Sequence, residues 1–295
     1  MGDPLAEANT LLDWEKIRSI EDGLYDNKTE NGGHPNIDFV LMVKILVLQH
    51  WYGLSDQGME RELANNLSFM NFLGYPETIP DSTTIWLFRE RLQEKNKIEA
   101  VWQELQWQLD AKGLIVKESS IQDATIITSD PGRSGNKPRG DEASTRRSKD
   151  GTWAKKGDEL HFGFKLHNNV DTQYGLIRAI ETTTASVHDS QIDLSKEGET
   201  IYRDKGYFGA SARGKSVTMY RATRGHPLST WDKRRNFQIS KIRAPCERPF
   251  AVIKTVFKAA HVLVTTDGRV HIKMIFTAIA YNLYQLRTLR KAGVI

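Results

Sequence analysis

The hydrophobic periodicity of this chain changes once, near residue 114, and that change limits what it can fold into. Before it, apolar side chains recur at helical spacing. Val40, Val43, Leu46 and Val47 mark a helix over 37–52, with Gly53 as its stop. Ser55 caps a second helix, with Met59 and Leu63 on one face. Leu67 to Leu73 is a short third piece ended by Gly74, and Asp81 or Ser82 caps a fourth that runs to about Leu92. Val101, Leu105 and Leu109 define a fifth, closed by Gly113. Short connections make residues 1–113 an expected compact all-α domain.

After the change, side chains alternate. Ser119 to Ile127 places Ile121, Asp123, Thr125 and Ile127 on one side of a strand. Leu160–Asn168, Tyr174–Thr182, Thr200–Asp204 and Ser216–Ala222 bring the expected strands to five. Helices are expected near Ser190–Lys196, Glu247–Ala260 and His271–Lys291. Three successive strands, then strands alternating with helices, predict a mixed α/β domain over 114–295, a five-stranded mixed sheet flanked by helices. Residues 129–158, rich in Gly, Ser, Lys, Arg and Asp, read as a mobile loop. Such a loop either orders on a binding partner or is a solvated insertion.

Charge is distributed unevenly. Residues 1–120 carry 11 Lys/Arg against 20 Asp/Glu, a balance of −9, while residues 201–260 carry 14 against 3, a balance of +11. A basic block inside a folded half points to a polyanionic partner; a generic basic surface is the competing reading. The single cysteine, Cys246, excludes an internal disulfide and a multi-cysteine zinc site. Phe39–Leu48, the longest apolar stretch, is broken by Lys44 and is too short to cross a bilayer. No charged-then-apolar leader opens the sequence, so neither export nor a membrane is expected, and the single cysteine fits a reducing cytoplasm.

Three carboxylates stand out by position. Asp123 lies within the first strand, Asp204 ends the fourth, where ligands of open α/β sheets collect, and Glu247 begins a helix. Singly, an Asp at a strand end is more often a turn or cap residue than a ligand. As a set, oxygen-only donors from three elements suit Mg²⁺ or Mn²⁺, and a pair of ions about 3.5–4 Å apart supports phosphoryl transfer. Arg243 stands four residues before Glu247, and Lys254 stands seven after it, nearly two helical turns on. Pro249 suits a first turn, so this helix is expected to start near Cys246, with Phe250, Ile253 and Phe257 buried. Lys254 then faces a phosphate or is an ordinary surface lysine. Other chemistries lack their motifs: there is no HExxH, GxSxG, Walker loop or GxGxxG. Cys246 between Pro and Phe neighbours reads as structural, and Trp102 and Trp107 read as core.

At these residues the sequence resembles the transposases of the insertion-sequence-five family, within the DDE superfamily. The likeness runs through Asp38-Phe39-Val40-Leu41-Met42, His50 to Asp56, Pro80 to Trp86 and Phe88 to Leu92. It continues through Gln122-Asp123-Ala124-Thr125, Ala185 to Ser190 and Asp204-Lys205-Gly206-Tyr207. Arg243, Glu247 and Lys254 fit the family's third motif, with Ser240 where that motif has Tyr. The resemblance implies an RNase H-like catalytic core preceded by a helical domain for end recognition or dimerisation. It implies Asp123, Asp204 and Glu247 as catalytic metal ligands for two Mg²⁺ or Mn²⁺ ions. Arg243, Lys254, Lys205 and the segment Lys233-Arg234-Arg235 would contact DNA. The implied partners are double-stranded DNA, as terminal inverted repeats and target, and a second copy of the chain. Only 43 residues separate Asp204 from Glu247, too few for the β insertion some members carry. A nuclease without strand transfer and a non-catalytic DNA-binding descendant are the competing readings.

Overall fold

A computed structural model describes residues 3–25, 35–116, 119–132 and 148–295. The chain forms two compact units, Met1–Leu114 with Val256–Lys258 and Ile275–Ile295, and Ile115–Thr255 with Ala259–Met274.

The first unit is helical. It holds α1 (Pro4–Asn9), a 3₁₀ helix over Trp14–Glu21, α2 (Phe39–Tyr52), α3 (Asp56–Asn65), α4 (Leu67–Leu73), α5 (Ser82–Glu94) and α6 (Ile98–Ala111). α1 and the 3₁₀ helix are too short to carry a periodic stripe and were not expected from the sequence. In α2 the expected stripe is buried, but so are Met42, Ile45, Leu48 and Trp51. A helix that is apolar on every side is one surrounded by others. Asp38 caps its start, accepting from the Leu41 amide at 2.9 Å, and Gly53 ends it at φ +62°. A Cβ on Gly53 would come within 2.7 Å of the Phe257 carbonyl, so the position requires glycine. Asp56 on α3 accepts from Gln49 of α2 at 2.7 Å and from Arg89 of α5 at 2.8 Å. Three helices are thereby tied through one carboxylate. Ser55 and Asp81 cap as expected. Trp102 is core, but Trp107 is 60% exposed, against expectation.

The second unit is built on one mixed sheet of seven strands, not five. They are β1 (Ser119–Ser129), β2 (Thr152–Lys156), β3 (Glu159–Asp171), β4 (Ile177–Thr184), β5 (Thr200–Arg203), β6 (Lys215–Thr218) and β7 (His261–Val262). All five expected strands are present. β2 and β7 are additional: β2 falls within the stretch read as a loop, and β7 is two residues long. The expected mobile loop 129–158 is therefore corrected at its end, where β2 pairs β3 antiparallel; residues 133–147 lie outside the described residues. The helix expected at Ser190–Lys196 is instead a one-turn 3₁₀ helix, Asp189–Gln191. α7 (Thr230–Arg243) was missed, because its apolar residues are few and, Ile239 apart, exposed. The helix expected over Glu247–Ala260 is α8 (Glu247–Ala251) followed by a π-helical turn, Val252–Val256. α9 (Asp267–Lys291) starts four residues earlier than read.

Register explains where the site lies. β3 pairs β1 antiparallel from Ser120 to Thr128, along nearly its whole length. The other edge of β1 is shared: β5 pairs Ser119–Ile121 and β7 pairs Thr128 and Ser129, both parallel. Between them residues 122–127 have no strand partner on that edge among the described residues, and the turn Ala244–Cys246 packs on β1. A gap in the ladder of an otherwise paired strand is a natural pocket for side chains.

Candidate active site

Asp123 stands in that gap. The β1–β5 ladder ends at Ile121 and Tyr202, and Asp123 and Asp204 each follow two residues beyond it. The two acids are near enough that the charge of Asp204 acts on Asp123. Asp204 leaves the strand as a cap: its carboxylate accepts from the Gly206 amide at 2.8 Å and starts the one-turn helix Lys205–Tyr207. Asp123 accepts from the Ala124 amide and from the Arg243 guanidinium, each at 2.9 Å, and from the Cys246 thiol at 3.4 Å. Burial pushes the Asp123 carboxyl above its ordinary range and Asp204 adds to this, while Arg243 opposes it.

Arg243 reaches Asp123 because it is the last residue of α7, a helix capped at its start by a reciprocal Ser229–Asp232 box. α7 turns its Asn236, Ile239 and Arg243 side inward and packs against β5. Cys246 follows in the turn packed on β1 and is buried. Burial holds its thiol up at about 12, so it is no nucleophile at neutral pH. Glu247 is the next residue, the first of α8, and is exposed. Pro249 sits in the first turn as expected, and Phe250, Ile253 and Phe257 are buried. The π turn breaks helical phase after Ala251, so Lys254 does not continue the Arg243–Glu247 stripe by α-helical spacing. Burial, with Lys156 beside it, lowers the Lys254 ammonium.

The sequence missed the scaffold behind the acids. Gln122, fully buried, donates to the Ile192 carbonyl at 2.7 Å and accepts from Arg203 at 2.8 Å and the Leu194 amide at 3.2 Å. Arg203, also fully buried, bonds Asp193 and donates to the Ser211 carbonyl at 3.0 Å. These residues precede Asp123 and Asp204 directly, so each acid is fixed by its chain neighbour. The pairing of an amide and a guanidinium one residue before each acid was the available signal. Lys165 on β3 also grips Asp189 at 2.8 Å and the Val187 carbonyl at 2.6 Å, organising the stretch before β5.

Carboxylate oxygens are the donors hard divalent cations take, and like charges at Asp123 and Asp204 are what such a cation relieves. The donor chemistry fits. Among the described residues, however, no three His, Cys, Asp or Glu side chains converge as a ready metal cluster, and Glu247 does not complete one. Of the expected DNA contacts, Lys205, Lys233 and Arg234 are exposed. Arg235 is half-buried, donates to the Thr218 carbonyl at 2.8 Å and lies 4.1 Å over the Tyr220 ring.

Residues 1–91 match the family described as Transposase domain (DUF772), and residues 116–283 match that described as Transposase DDE domain. The chain belongs to the DDE transposase family. Its match spans β1 to α9 and includes Asp123, Asp204 and Glu247. The transposase is a metal-dependent DNA-cutting enzyme by family, and its mixed α/β unit is RNase H-like. No solved structure matches it. No helix among the described residues of the transposase is long and apolar enough to cross a membrane.

Proposed function

We propose that this transposase, of the insertion-sequence-five type, binds the inverted repeats at its element's ends, cuts there and joins the freed 3′-hydroxyl to target DNA. The observation that carries the reading is that Asp123, in the gap beside β1, and Asp204, just past the end of β5, are near enough for their charges to interact. Asp123, Asp204 and exposed Glu247 hold the divalent ions. Bound there, two Mg²⁺ or Mn²⁺ ions would supply activation of the attacking oxygen and neutralise charge on the leaving one. Arg243 keeps the Asp123 carboxylate oriented and offsets its buried charge. Exposed Lys205, Lys233 and Arg234 contact phosphates, as do Lys254 and the donors that Arg235 and Arg243 do not spend on protein. Two ends must be cut together, which calls for a homodimer. The helical unit reads the end sequence.

The test is cleavage of plasmid DNA carrying the element's ends, with Mg²⁺. Asp123→Asn, Asp204→Asn and Glu247→Gln should each abolish cutting while leaving end binding intact. Undiminished cutting in Asp204→Asn refutes the assignment, and cut but never joined products refute strand transfer.

A further inference from the structure

α7 has a second face. At about 100° per residue, Trp231, Arg234, Phe237 and Lys241 fall within roughly a third of its circumference, on the side away from Ile239 and Arg243. That stripe is open to solvent: Trp231 is 76% exposed and Phe237 58%. Each ring carries a cation, Arg234 at 5.8 Å from the Trp231 centroid and Lys241 at 4.6 Å from that of Phe237. A capping cation covers one side of a ring only, so the other stays available. Large exposed rings are costly in water, and their interleaving with cations does not suit an apolar protein partner.

We infer that this face of α7 holds an unpaired stretch of DNA, its bases stacked on Trp231 and Phe237 and its phosphates met by Arg234 and Lys241. The inference rests on the DNA-transposase reading and names the form of DNA that this surface takes. Three observations favour that occupant. The segment 201–260 carries a balance of +11, which favours a polyanion over a second copy of the same face. A duplex hides its base faces by stacking, so phosphate contact alone would need cations but no exposed rings. Finally, α7 is a single helix whose last residue bonds Asp123. Phe237 and Trp231 precede Arg243 by six and twelve residues, about 9 and 18 Å along the axis. Bases held there lie along the helix that ends at the candidate site, on its other side.

The test uses the full-length protein with Ca²⁺ in place of Mg²⁺, so that binding is read without cutting. The probes are single-stranded oligothymidine, a blunt duplex, and that duplex with a single-stranded tail. Trp231→Ala and Phe237→Ala should each weaken oligothymidine and tailed-duplex binding by about tenfold and leave the blunt duplex unchanged. Oligothymidine should quench tryptophan fluorescence less in Trp231→Phe than in the parent. Arg234→Gln should weaken all three probes alike. Both residues are exposed, and circular dichroism verifies that the variants fold. The inference is overturned if Trp231→Ala and Phe237→Ala weaken all probes equally, if they weaken none, or if they change only sedimentation mass. Because no probe is cut, tail-specific binding survives even if the enzyme fails to join DNA; failure to bind any DNA overturns both readings.

Discussion

Arg243 and Asp123 lie 120 residues apart in the chain and 2.9 Å apart in space. Asp123 is held above the ordinary carboxyl range by burial, with Asp204 adding to the shift. Arg243 is the largest influence keeping it from rising further. Without the guanidinium, the ionised carboxylate that the proposed metal binding requires persists only at higher pH. Arg243→Gln should therefore move the acid limb of the cleavage–pH profile upward and lower the neutral-pH rate by about 10–100-fold. Initial rates across pH check this; superimposable profiles would show that Arg243 serves only DNA.

Arg203 is a fully buried cation shared among Asp193, Gln122 and the Ser211 carbonyl. Removing one partner of such a network costs about 3–5 kcal/mol. Arg203→Ala should show that loss in urea unfolding. Arg203→Lys should recover little, because an ammonium cannot reproduce the guanidinium's planar fork. Full rescue by lysine would mean that only the charge matters.

His167 is buried, pairs through Nε2 with Thr183 at 3.0 Å and is pushed down to about 4, chiefly by burial. In the unfolded chain it takes a proton near its ordinary value of 6.5. Its contribution to stability is thus complete above 6.5 and is lost as pH falls toward 4, by about 3 kcal/mol at most. Denaturant melts over that window should slope less in His167→Gln than in the parent. Equal slopes would mean that another group carries the dependence.

Gly163 on β3 has φ +146°, and a Cβ there would lie 2.3 Å from the Ile127 carbonyl of β1. Both atoms are sheet backbone and cannot move aside. Gly163→Ala should destabilise by roughly 3 kcal/mol or more, read as a fall in melting temperature. An unchanged melting temperature would mean that β3 and β1 can separate locally there.

What the sequence made legible followed the strength of local signals. Caps at Ser55, Asp81 and Gly53 and the alternation in β1, β3 and β5 placed most of the fold. α7 escaped because its inward side is short and polar and its rings face water, so no apolar period runs along it. β2 escaped because its exposed residues resemble a loop; pairing with β3 alone makes it a strand. Asp123 and Asp204 could be named from motif and position, but their nearness could not, since it depends on where β5 stops along β1. Nor could spacing reveal the Gln122–Arg203 bond, which joins residues 81 apart.

The gap beside β1 divides the site by how firmly its parts are anchored. Asp123 rides on a strand laddered to β3 along nearly its whole length. Its companions hang from single turns: Asp204 before Lys205–Tyr207, Glu247 after Ala244–Cys246. Amides of residues 121–127 should exchange with solvent last, and those of 205–208 and 244–247 early. In the proposed site one acid is then an anvil and the other two breathe against it, so that a bound strand and its ions would set the final distance among the three.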